Sequence, residues 1–355
     1  MRKIYLTLVT STLIFSVFSV FSKPNPNSGT AFNNYKSQQE IVEAVPTPAT
    51  VEARLAALPC EIEMKYNAEV QSNIERYFKN GNRQLTDLLT RASYYLPIFE
   101  KALKEAGLPD ELKYLPVIES NLKPNVTSNR GAGGLWQFMP GTAKGYDMKI
   151  TSTIDERCDP YLSSERACTM LKKQYERFGD WTLALAAYNA GSGTVSRALK
   201  RAGGDPRQHT FWTIYNYLPA QTRHYVPKFI AINYVMNFYK EHNVKNPVSE
   251  PVVAADTVRV SKKVNFSQIS GVLGVSMADL RNLNPHLRAD MAPATADRPC
   301  TLVLPAHHVD RFKEMQDQIL VYNQGASANT EVTTAAIANA KAKSAGSSKK
   351  SKKRK

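Results

Sequence analysis

A chain of 355 residues that is 43% hydrophobic can build one or two globular cores without disulfide or metal staples. The formal charge of +15 is unevenly placed. Eight Lys/Arg crowd residues 341–355 and two, Arg2 and Lys3, open the chain, which leaves only about +5 on the body. A body so mildly basic argues against a nucleic-acid partner.

Arg2 and Lys3 precede an apolar run, Ile4 to Phe21, closed by Val20-Phe21-Ser22, and residues 1–22 read as a signal peptide for export. An uncleaved membrane anchor is the alternative, since the run approaches the roughly 18–20 residues that span a bilayer. Residues 23–54 lack periodicity and read as a flexible linker.

The spacing then predicts a helical domain over 55–243. Leu85, Leu88, Leu89 and Ala92 mark one apolar helix face, and a second helix is expected from Ile98 to Ala106, stopped by Gly107. Asp110 is placed to cap a helix through Leu112, Leu115 and Ile118 to Glu119. Further helices are expected over Ser163–Phe178, Trp181–Asn189, Ser192–Ala202 and Val226–Glu241, the last with Pro227 near its start.

Residues 244–255 carry two prolines and read as a linker. In 256–305 the period changes. Thr257 to Val260 alternates as a strand, Phe266–Val272 and Met277–Leu283 read as short helices, and Thr301 to Leu304 closes as a strand, a small β-α-α-β module. Residues 306–355 read as a C-terminal extension ending in an Ala/Ser/Lys-rich basic tail, suited to anionic wall polymers or membrane surfaces. Cys60, Cys158, Cys168 and Cys300 permit disulfides in an exported chain, with Cys158–Cys168 the most local pairing. Neither C-x-x-C nor H-E-x-x-H occurs, so no metal and no cofactor is expected.

Four short segments carry chemistry. Ile118-Glu119-Ser120 ends an apolar helix, and a carboxyl among apolar groups stays protonated near neutral pH, as glycosidic cleavage requires. Alone, Glu119 reads as an exposed helix glutamate. Gly131 to Pro140 (G-A-G-G-L-W-Q-F-M-P) combines close-approach glycines with Trp136, a face for a sugar ring or a core tryptophan, and Gln137, a donor and acceptor. Tyr188 and Asn189 end a helix at Gly191, and Tyr225 precedes the last helix of the domain.

In this order the segments resemble the lytic transglycosylases with a goose-type lysozyme-like catalytic domain, in particular the membrane-bound lytic murein transglycosylase D group. The resemblance spans roughly residues 60–240 and the 256–305 module, and includes Asp155-Glu156-Arg157-Cys158-Asp159-Pro160 and Phe178-Gly179-Asp180-Trp181. It implies a mainly α fold, a lysozyme-like domain followed by a lysin-motif (LysM) module. It also implies Glu119 as general acid and then base, with Ser120, Gln137, Tyr188 and Asn189 lining a glycan cleft and Tyr225 orienting Glu119. The chain departs from the family in having Gln221 where glutamate is common.

Cleavage would run between MurNAc and GlcNAc of peptidoglycan without water, giving 1,6-anhydro-MurNAc ends, in the periplasm or elsewhere in the cell envelope. A hydrolytic muramidase would want a second carboxylate, for which Asp155, Glu156 and Asp159 are the nearest in sequence. A non-catalytic glycan-binding wall protein would need no acid. The 256–305 module resembles a LysM in Leu273-Gly274-Val275-Ser276, Asp279-Leu280 and Leu283-Asn284-Pro285, which implies binding of GlcNAc-containing glycan. Its Lys263-Val264-Asn265-Phe266 departs from the usual turn.

Overall fold

The computed structural model describes residues 47–79, 82–245 and 254–322. The expected signal peptide, most of the 23–54 linker and the basic tail lie outside the described residues.

The first described element corrects the linker's extent. Thr47 caps helix α1 (Pro48–Ala56), accepting from the Thr50 amide at 3.3 Å. Val51 and Leu55, one turn apart, are buried in the main core. The pair is too short a pattern to stand out in a polar stretch. Helices α2 (Ala68–Lys79) and α3 (Asn82–Ala106) follow. The two helices expected on either side of Pro97 are one, because Pro97 lies on the exposed side of α3 and the helix runs through it.

The chain continues through a 3-10 turn, Asp110–Tyr114, into α4 (Leu115–Ser120), then α5 (Pro140–Gly145), α6 (Pro160–Phe178), α7 (Trp181–Ala190), α8 (Ser192–Ala202), α9 (Ala220–Arg223) and α10 (Tyr225–Phe238). Helices α7 and α10 are apolar on every side, so each must be surrounded. They are: Thr182 to Ala187 of α7 and Phe229 to Met236 of α10 are buried without a break. Amphipathic α2 covers α10, α6 covers α7, and α3 packs on α6.

A second, separate core belongs to the C-terminal module. Strand β1 (Ala255–Val260) leads to β2 (Val264–Asn265), α11 (Phe266–Leu273), α12 (Met277–Leu283), β3 (Met291–Ala292) and β4 (Cys300–Pro305). β1 and β4 pair antiparallel, from Ala255 opposite Pro305 to Val260 opposite Cys300, and β2 pairs with β3. The divergent Val264-Asn265 has its own solution, a capping box in which the Asn265 amide donates to Gln268 Oε1 at 2.8 Å. The module also runs past residue 305. Helices α13 (Ala306–Glu314) and α14 (Gln316–Val321) bury Val309, Phe312 and Ile319 in its core. None of the disulfides that the sequence permits is formed, the local Cys158–Cys168 pairing included, and all four cysteines are free thiols.

Candidate active site

Helix α4 is six residues long, and its end sets up the site. Asn121 (φ 53°) and Leu122 (φ 55°) are both left-handed, a conformation disfavoured for side chains other than glycine, and Leu122 is held there by complete burial. Arg91 of α3 donates to the Asn121 carbonyl at 2.9 Å. Asp110 is not the cap expected of it, since its carboxylate is bound to Lys113 at 2.6 Å.

Glu119 comes out of this short helix half-buried and facing α10. The Tyr225 hydroxyl donates to its Oε1 at 2.5 Å. Burial pushes the carboxyl up to about 7, while that hydrogen bond and the charge of Lys228 pull the other way. Lys228, one turn along α10 from Tyr225, escaped the sequence reading, although its three-residue spacing was the available signal. Lys228 and Asn121 line a cavity of about 270 Å³ with Arg76, Tyr77 and Gln84.

The other expected site residues divide. Ser120 does not line a cleft. It is buried, its hydroxyl proton shared between the carbonyls of Pro116 and Leu135, each 2.9 Å away. Trp136 offers no stacking face, because it is fully buried, edge-on to Phe99 at 5.2 Å, with Nε1 donating to Ser164 at 2.9 Å. Tyr188 donates to the Trp136 carbonyl at 2.7 Å, and burial and the nearby Glu119 carboxylate push its phenol well up. Gln137 is left-handed (φ 51°), and its Nε2 donates to the Gly134 carbonyl at 2.8 Å. Asn189 is half-buried beside Tyr188 at the end of α7.

The loop that holds these groups folds on itself, with Gly133 bridged to Phe138. Gly134 must be glycine: φ is +80°, and a Cβ there would lie 1.7 Å from the Arg157 carbonyl oxygen. Residues 97–211 match the transglycosylase SLT domain family, and residues 254–321 match the LysM-like domain of lytic transglycosylase MltD. The chain carries an SLT domain.

Membrane-bound lytic murein transglycosylase D of Escherichia coli K12 is 30% identical over 249 residues, 70% of this chain and 54% of that protein. The chain thus spans about half the length of the curated relatives it matches over that stretch. Soluble lytic murein transglycosylase of the same strain is 36% identical over 91 residues, 24% of this chain and 14% of that one. A solved inactive mutant of lytic transglycosylase Slt from Pseudomonas aeruginosa is 26% identical, covering 43% of this chain and 25% of its own, with a TM-score of 0.34.

Within the SLT match lie Glu119, Ser120, Gln137, Tyr188 and Asn189, while Tyr225 comes from α10, beyond it. The LysM-like match ends at 321, where α14 ends, in keeping with a module longer than 256–305.

The acids considered as partners to Glu119 in the SLT domain are engaged elsewhere. Asp155 is bound by Arg157 at 2.8 Å and by Arg288. Glu156 accepts from the Lys149 amide at 2.6 Å, and Asp159 caps α6 through the Tyr161 and Leu162 amides. Glu69 of α2, which nothing in the sequence singled out, is bound by His224 and by the Tyr215 hydroxyl at 3.1 Å. A cavity of about 720 Å³ lies apart from Glu119, between Arg91, Tyr94 and Tyr95 of α3 and His307 and His308 of α13.

Proposed function

We propose that this protein is a peptidoglycan lytic transglycosylase cutting the MurNAc-β-1,4-GlcNAc bond, with Glu119 as its one acid and base. The observation that carries the reading is a half-buried carboxyl raised to about 7 and held by Tyr225, while Asp155, Glu156 and Asp159 are engaged elsewhere. A protonated Glu119 gives its proton to the glycosidic oxygen as the C1–O bond breaks. The 6-hydroxyl of the same muramyl residue then closes on C1 and returns a proton to Glu119. An attached hydroxyl gains from proximity and needs no second base, so a single acid suffices. Since the protonated form starts the cycle, activity falls as pH rises through about 7.

Gln137, whose Nε2 is committed to the loop, turns its carbonyl oxygen to sugar hydroxyls or an acetamido N–H, with Asn189 beside it. Ser120 and Tyr188 serve by holding the loop carbonyls of Leu135 and Trp136. The LysM-like module adds affinity for GlcNAc-containing glycan, and the basic tail for anionic wall or membrane surfaces. The likeness to a membrane-bound relative supports a periplasmic or envelope location, and among the described residues no helix is long and apolar enough to cross a membrane.

Digestion of sacculi in oxygen-18 water tests the reading. The expected products end in 1,6-anhydro-MurNAc, one water lighter than hydrolytic products, unlabelled and not reducible by borohydride, and Glu119→Gln makes none. Labelled, reducible ends would make the enzyme a muramidase. No cleavage by the wild type would leave a glycan-binding wall protein.

A further inference from the structure

The two cores meet along a seam of backbone bridges and ion pairs, where Ile154 also packs on the C-terminal core. Residues 153–155 and 286–288 run antiparallel: Ile154 bridges Leu287, the Asp155 amide donates to the His286 carbonyl at 2.9 Å, and the Arg288 amide donates to the Thr153 carbonyl at 2.9 Å. Arg288 adds its side chain, with NH1 donating to the Thr151 carbonyl at 2.9 Å and NH2 bound to Asp155. On its other side Asp155 receives the Arg157 guanidinium in a two-pronged grip, Nε to Oδ1 at 2.9 Å and NH2 to Oδ2 at 2.8 Å. The remaining nitrogen of Arg157, NH1, donates to the Gly131 carbonyl at 2.6 Å and the Phe138 carbonyl at 3.1 Å. These carbonyls bracket the loop that presents Gln137. Gly133 leaves room for the guanidinium, since a Cβ there would come within 2.7 Å of its central carbon.

We propose that Arg288 of the LysM-like module is a positioning residue for the 131–138 loop of the SLT domain, acting through Asp155 and Arg157. Asp155 is 2% exposed and Arg157 5%, so both charges have left water and their orientation depends on their partners. With Arg288 in place, the carboxylate shares its negative charge between two guanidinium groups and is fixed in plane. Without it, Asp155 Oδ2 loses a charged donor, the fork to Arg157 loosens, and the loop carbonyls lose a rigid anchor. The module is then part of the catalytic apparatus as well as a separate glycan-binding unit. The loop's ordering is independent of the proposed reaction, whereas its consequence for turnover rests on that reading.

The full chain carrying Arg288→Ala or Arg288→Lys tests this. Arg288 is 42% exposed and the backbone pairing remains, so both variants are expected to fold. In Arg288→Ala, amide exchange across 131–138 should quicken by about tenfold, because the Gly133, Gln137 and Phe138 amides make the loop's own hydrogen bonds. KM for soluble glycan fragments should rise several-fold with kcat nearly unchanged, since Tyr225 still holds Glu119. Lysine keeps the charge without the fork and should lie between the two. Unchanged exchange at 131–138, or faster exchange with KM at the wild-type value, overturns the proposal. If the wild type itself does not cleave glycan, the reaction fails instead, and the exchange measurement alone decides the relay.

Discussion

Glu119 and Tyr225 are 106 positions apart, and no local pattern in the chain pairs them. Their contact holds the carboxyl in place and offsets part of its burial, and that burial carries a cost that can be measured. A folded value near 7 against an ordinary 4.5 means that the folded state holds the proton more tightly than the unfolded chain. The resulting stability is fully present below 4.5 and is lost as pH rises through 7. Glu119→Gln keeps the shape and removes the charge. The variant should therefore match wild type at pH 4.5 and exceed it at pH 8.5 by about 2–3 kcal/mol, read from urea unfolding. Equal stability at both pH values would mean that Glu119 ionises in the fold as freely as in water. Ser120 and Trp136 show the limit of reading at this scale. Their types suit a sugar cleft, but burial is decided by α6 and by the Leu135 carbonyl, which sequence does not place beside them.

At the scale of elements, the helices legible in the sequence were those with a stop or cap written beside them. Ser192–Ala202 was read to the residue, because Gly191 and Gly203 flank it, and α6 and α7 differ by a few residues at their ends. α1 and the α13–α14 pair were not legible. Their apolar positions are few, and they are helical because each lies on a core built by other segments. Pro97, between the two helices expected there, is the opposite case, a strong local break signal overridden by packing along the whole of α3. The caps carry energy as well as information. Asp180 accepts from the Leu183 amide at 2.8 Å and the Thr182 hydroxyl at 2.5 Å, and Thr182 in turn accepts from the Phe211 amide at 3.2 Å. Asp180→Ala should lower stability by about 1–2 kcal/mol, at the upper end for a cap because Thr182 loses its partner. Since α7 carries Tyr188, amide exchange should rise first at its N-terminal turn. A loss under 0.5 kcal/mol would show that the amides find other acceptors.

Among the described residues two hydrophobic cores are joined along a seam, and the seam has a charge that acid removes. Burial alone would raise the Asp155 carboxyl, but the hydrogen bonds and charge of Arg157, with the charge of Arg288, hold it below its ordinary 3.8. Its contribution is present above 3.8 and is lost as pH falls through the lower folded value. The contacts across the seam include backbone bridges and ion pairs, and Ile154 of the SLT domain also packs on the core of the module. Interfaces of this kind couple two units only as strongly as their few charged contacts allow. Calorimetry at pH 7 should give overlapping transitions for the two units, and lowering the pH through the folded value of Asp155, which lies below 3.8, should separate them as it takes up a proton. Arg288→Ala should produce part of that separation at pH 7, and high salt should do less, because Asp155 lies away from solvent. A single transition at every pH, unmoved by Arg288→Ala, would mean that the cores unfold as one cooperative unit and that the seam is not what joins them.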